Sequence, residues 1–101
     1  MTAALETVES RVRQGQILVV DDDPAVQTAL AERLELAHYD VVAAECLADA
    51  AIAAASDVFD VILLDSDLPD ASGADALRQL KSEAVSAGVV MFDEAATTES
   101  I

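Results

Sequence analysis

"DVILLDSDLPD", residues 60–70, runs an apolar, branched stretch directly into acid. Asp65 closes the stretch, and Asp67 and Asp70 follow at once. Like charges repel, and removal from water makes each one costlier. Such a knot of carboxylates is either solvated at a loop or holds something positive. The surrounding pattern decides between these.

Working outward, the chain alternates between two kinds of segment. Residues 16–20, "QILVV", form a short β-branched run that stops at Asp21, Asp22 and Asp23. The run reads as a strand buried on both faces. Asp23 and Pro24 then signal a helix start, with aspartate as the cap and proline at the first helical position. Val26, Leu30 and Leu34 carry that helix to about Ala37. Residues 39–45 read as a second strand, and Leu47, Ala50, Ala51 and Ala54 form a small-residue helical stripe ending near Ser56.

Residues 60–65 are a third strand, and Pro69 and Gly73 punctuate the loop after it. Leu77, Leu80 and Ala84 mark a third helix to about Glu83, and Gly88 precedes a fourth strand over 89–92. Residues 97–100, "TTES", look like the start of a further helix. Residues 1–15 form a leader, in which Leu5, Val8 and Val12 keep helical spacing up to Gly15. The leader reads as a weak amphipathic helix or a frayed tail.

Strand–helix alternation with short loops and right-handed crossovers predicts a doubly wound α/β parallel sheet with helices on both faces. At 101 residues the chain suits one domain. Its apolar fraction is 53 %, with two Phe, one Tyr and no Trp, which favours helices packed on small side chains.

Twenty Asp and Glu against five Lys and Arg give a formal net charge of −15. A surface this negative disfavours direct contact with nucleic acid or anionic lipid. No apolar run approaches the ~20 residues of a membrane span, and residues 1–15 lack the pattern of a secretory signal. A cytoplasmic protein is expected, with its single cysteine, Cys46, a small, partly buried side chain.

In parallel sheets, ligands sit beyond the carboxyl ends of strands. Asp21, Asp22 and Asp23 end the first strand, and Asp65 and Asp67 end the third. If those strands are neighbours, their carboxylates converge. Converging carboxylates suit a hard divalent cation such as Mg2+. With a cation present, one carboxylate can act as a nucleophile toward a phosphoryl group.

"ILVVDDDP" followed by "VILLDSDLPDASG" resembles the receiver domain of bacterial two-component response regulators. The likeness covers roughly residues 16–92. It implies a flavodoxin-like sheet, here incomplete with about four strands, and a receiver-like domain over 16–101 lacking the last strand and helix. It implies two-component phosphorelay signal transduction without enzyme activity. Asp65 matches the family's phosphoacceptor, with Pro69 and Gly73 at the family's spacing after it. Asp21 and Asp22 match the metal-binding acidic pair, and Asp67 the residue whose backbone carbonyl completes the Mg2+ ligand set. The implied partner is a sensor histidine kinase that donates a phosphoryl group from phosphohistidine.

Two departures stand out. The family's fourth strand ends in Thr or Ser, whereas Asp93 stands there, followed by Glu94; Thr97 or Thr98 would be an imperfect substitute. The family's fifth strand and its leading lysine have no counterpart before Ile101, and Lys81 lies in the third helix instead. A sheet stopped at four strands leaves an edge and apolar faces uncovered. A homodimer or a domain-swapped oligomer is the expected remedy, with the leader folding over the gap as the other.

These departures keep a second reading open: a degenerate receiver that serves dimerisation or interaction without phosphotransfer. A third reading is enzymatic, because "LLDSD" resembles the Asp-x-Asp signature of haloacid-dehalogenase-like phosphatases. Pro69 stands where that family has Thr or Val, and its signature belongs on the first strand of a longer chain. His38 and Tyr39 read as a solvated loop residue and a strand-edge packing residue. Arg78 and Lys81 read as solvent-facing, and Ser66 and Ser72 as loop hydrogen-bonding and helix-capping residues.

Overall fold

The computed structural model describes residues 14–93. Most of the leader, Glu94, Thr97 and Thr98 lie outside the described residues. The elements run β1 (Gly15–Val20), α1 (Pro24–Leu36), β2 (Tyr39–Ala44), α2 (Leu47–Ser56), β3 (Val61–Asp65), β4 (Asp67–Leu68), β5 (Ala71–Ser72), α3 (Gly73–Glu83) and β6 (Gly88–Phe92). The order agrees with the predicted alternation. The difference is a small antiparallel ribbon, β4–β5, where the sequence indicated only a loop. Asp67 pairs with Ser72 and Leu68 with Ala71.

The main sheet is parallel, in the order β2-β1-β3-β6. β1 and β3 are therefore central, and their sequences show it. Leu18, Val19, Val20, Ile62 and Leu64 are each fully buried. A strand covered on both faces cannot alternate apolar with polar, so both strands read as continuous apolar runs.

Successive residues of β1 serve opposite faces. Leu18 and Val20 join Ile62, Leu64, Ala50, Ala54, Ala76 and Leu80 in the main core, which α2 and α3 cover. Each large aliphatic chain removed from water there contributes roughly 1.5–3 kcal/mol. Alanines on α2 let it lie close to the sheet. α1 contacts β1 and β2. It buries no residue completely, and Val26, Leu30 and Leu34 are only half-buried.

Local chemistry sets the helix ends. The Asp23 carboxylate accepts the Ala25 N–H at 2.9 Å, with Pro24 opening α1. The Ser72 hydroxyl accepts the Asp75 N–H at 3.2 Å and caps α3. α1 stops where His38 takes a left-handed backbone, φ 72°. Its N–H donates to the Glu35 carbonyl at 3.0 Å, a turn that usually falls to glycine. Tyr39 follows, half-buried on the edge strand, and Cys46 is likewise half-buried. Arg78 pairs with Asp75 on the exposed face of α3. Lys81, also exposed, reaches the Ala87 carbonyl at 3.4 Å. No helix among the described residues is long and apolar enough to cross a membrane.

Gly73 joins the ribbon to α3 at a close approach. A β-carbon there would lie 2.8 Å from Met91 Sδ and 3.1 Å from the Ser66 carbonyl oxygen. The methionine can swing aside, but the Ser66 backbone cannot. Gly73→Val is expected to cost about 1–3 kcal/mol in urea unfolding through overpacking. Gly88→Ala is the control, because its β-carbon meets nothing nearer than the Asp60 carbonyl at 3.9 Å. It should stay within about 0.5 kcal/mol of the parent. Equal stability of Gly73→Val and the parent would show that the ribbon yields freely.

Candidate metal and phosphoacceptor site

β1 and β3 pair in parallel, with Val20 opposite Leu64. The next residue on each strand is acidic, so the register carries Asp21 and Asp65 to the same end of the sheet. Asp22 follows on the turn into α1. One carboxylate oxygen from each of Asp21, Asp22 and Asp65 lies within 4.8 Å of the others. Three of the residues singled out in the sequence are thereby brought together.

Asp21 is fully buried and Asp65 is 7 % exposed, while Asp22 faces solvent. Asp21 is fixed by its surroundings. Its Oδ1 accepts the Asp23 N–H at 2.8 Å, and its own N–H donates to the Ala44 carbonyl at 3.0 Å. Gln27, on the first turns of α1, donates its side-chain amide to the Asp21 carbonyl at 2.6 Å and to that of Ala44 at 3.0 Å. The glutamine staples α1 to the ends of β1 and β2 beneath the site. The sequence offers no local signal for this, because neither partner is placed by helix periodicity.

On the other strand, Asp65 Oδ1 accepts the Asp67 N–H at 3.1 Å, which fixes the rotation of the carboxylate. The Ser66 N–H donates to the Phe92 carbonyl at 2.9 Å and ties the start of this loop to β6. Asp67 is exposed on β4. Asp93 follows β6 directly, and β6 pairs Phe92 with Asp65, so Asp93 stands at the acidic end of the sheet.

Asp70 does not join the cluster. Its carboxylate reaches back to the start of α2, where Oδ1 accepts the Leu47 N–H at 2.8 Å and Oδ2 the Ala48 N–H at 3.0 Å. These bonds hold its pKa below the usual carboxylate range.

Burial pushes the Asp65 pKa up. The Asp67 N–H opposes this, and the charges of Asp21, Asp22 and Asp67 reinforce it. Among the described residues, the charges that shift Asp65 are thus all carboxylates. Crowded, partly dehydrated anionic oxygens are a donor set fit for a small divalent cation, which prefers oxygen ligands and keeps several waters. Such a cation would offset the repulsion directly.

The raised pKa has a sign. A carboxylate whose folded-state value lies above its unfolded one, about 3.9, favours folding in its protonated form. That contribution is complete below about pH 4 and is lost as pH rises through the folded-state value. Asp65→Asn keeps an oxygen for the Asp67 N–H and removes the charge. Without divalent ions at pH 7 it should be more stable than the parent by of order 1 kcal/mol or less, given screening at the open side of the site. Chemical denaturation across pH 4 to 7 reads this out. A variant less stable than the parent at pH 7 would contradict the electrostatic account.

The family pattern described as response regulator receiver domain matches residues 17–101. The transcriptional regulatory protein KdpE of Mycobacterium tuberculosis is 43 % identical over 65 residues, covering 64 % of this chain and 29 % of that protein. The alkaline phosphatase synthesis transcriptional regulatory protein PhoP of Bacillus subtilis is 34 % identical over 77 residues, covering 76 % of this chain and 32 % of that protein. The chain thus spans about a third of the length of these relatives. Among solved structures, a response regulator protein from Burkholderia pseudomallei, crystallised with a phosphorylated aspartic acid, a calcium ion and citrate, superposes with a TM-score of 0.74. It is 27 % identical, over 77 % of this chain and 46 % of that one. Receiver domains have a flavodoxin-like fold, belong to two-component signalling and are generally not enzymes. The match along the sequence, the shared fold and the acidic strand ends agree, and the chain belongs to the response regulator receiver domain family.

Proposed function

We propose that this receiver domain accepts a phosphoryl group on Asp65 from the phosphohistidine of a sensor histidine kinase, in a cytoplasmic two-component relay. The observation that carries the reading is the meeting of Asp21, Asp22 and Asp65 at one end of the sheet. Asp65 is the best placed nucleophile. It is held at one oxygen by the Asp67 N–H and crowded by neighbouring charge. In the transfer, a carboxylate oxygen of Asp65 bonds to phosphorus as the phosphorus–nitrogen bond of the donor breaks. The imidazole nitrogen keeps the electron pair and takes a proton.

Asp21, Asp22 and Asp65, with the Asp67 backbone carbonyl, would hold Mg2+. When bound, Mg2+ supplies neutralisation of the charge on the transferring group. Asp22 faces solvent.

A second reading is favoured by two observations. Asp93 stands at the acidic end of the sheet, where a carboxylate opposes phosphoryl oxygens. β6 has the uninterrupted apolar sequence of a central strand, "GVVMF", yet among the described residues it is an edge, with Val90 54 % and Met91 40 % exposed. A degenerate receiver that pairs with a second copy, as a homodimer or by exchange of elements, accounts for both.

The chain, incubated with Mg2+ and acetyl phosphate, should gain one phosphoryl group by mass spectrometry, and Asp65→Asn should gain none. Equal labelling of the two rejects Asp65 as acceptor. An unlabelled parent that still binds Mg2+ supports the degenerate reading. Sedimentation velocity bears on the edge separately: self-association is expected to weaken on Val90→Lys, and a parent that stays monomeric at high concentration rejects pairing through β6.

A further inference from the structure

We propose that Asp70 is a positioning residue for the acidic site: its carboxylate clamps the tip of the β4–β5 ribbon to α2 and so fixes the backbone beside Asp65. The consequence for ion binding rests on the reading of that site given above.

α2 begins without a cap of its own. Cys46, at the N-cap position, makes no side-chain capping bond. The first amides of a helix have no partner within it and must find one elsewhere. Asp70 answers two of them, at Leu47 and Ala48, one with each oxygen. A carboxylate there also meets the positive end of the helix dipole.

The same two bonds matter to the ribbon. It has only two paired residues in each strand, and a hairpin this short has little stability by itself. Besides its join to α3 through Ser72, further anchors hold it. The Ser66 N–H bonds to β6, Leu68 is buried in the main core, and Asp70 at the turn grips α2. Asp67 opens the ribbon, and its N–H bonds to the Asp65 carboxylate. Across so short a ribbon, a loosened tip displaces Asp67, and with it the amide that holds the Asp65 carboxylate. By linkage, whatever fixes Asp67 tightens the start of α2 in return.

The test uses the full chain, Asp70→Ala and Asp70→Asn, with folding checked by circular dichroism. Amide exchange by NMR is measured first without metal. In Asp70→Ala the Leu47 and Ala48 amides lose protection, and the Asp67 amide should exchange at least ~10-fold faster. Mg2+ alone is then titrated in, and its affinity should fall about tenfold, as when an outer partner of a metal ligand is removed. Asp70→Asn, with one carbonyl oxygen for two amides, should lie between, and it carries the comparison if Asp70→Ala does not fold. Faster exchange at Leu47 and Ala48, with Asp67 unchanged and Mg2+ affinity within about twofold, would reduce Asp70 to a helix cap and overturn the proposal. A parent that binds no Mg2+ would count against the ion reading, while the Asp67 amide would still decide the clamp.

Discussion

The parallel register of β1 on β3 governs this molecule. Pairing Val20 with Leu64 places Asp21 and Asp65 at adjoining strand ends. A slip of one residue would send every side chain of the strand to the other face and separate the carboxylates. The register is held by the apolar residues before them, since Leu18, Val20, Ile62 and Leu64 must face the same two helices. Hydrophobic burial thus sustains an electrostatically unfavourable cluster. A divalent cation placed there would offset that repulsion directly.

The supports of that cluster are mostly backbone amides. Asp21 accepts from Asp23, and Asp65 from Asp67. The bond to Asp65 favours its charged form and partly offsets the cost of crowding. Gln27 from α1 and Asp70 from the ribbon act one layer further out and fasten helices to the strand ends. Helices α1 and α2 are thus both fastened near the site. α1 is tied to it through Gln27 and α2 through Asp70.

Much of this was legible in the residues. The β/α alternation, the Asp23–Pro24 helix start and the role of Ser72 follow from periodicity and capping chemistry, which depend on near neighbours. The candidate cluster was legible because two acidic groups ended two apolar runs and because "VILLDSDLPDASG" resembled a known motif. The role of Asp70 was not. In sequence it belongs with Asp65 and Asp67, but in space it belongs with Leu47 and Ala48. The β4–β5 ribbon and the left-handed His38 were likewise absent from the pattern, because neither leaves a periodic trace.

The sequence by itself determined the alternation of strands and helices, the helix starts and the acidic strand ends, because each is written in residues close along the chain. Only the tertiary structure decided which strands are neighbours, and therefore which carboxylates meet. Strand pairing joins segments dozens of residues apart, and its register is chosen by the packing of whole faces. Asp70, parted from its neighbours in sequence to cap a distant helix, shows the difference.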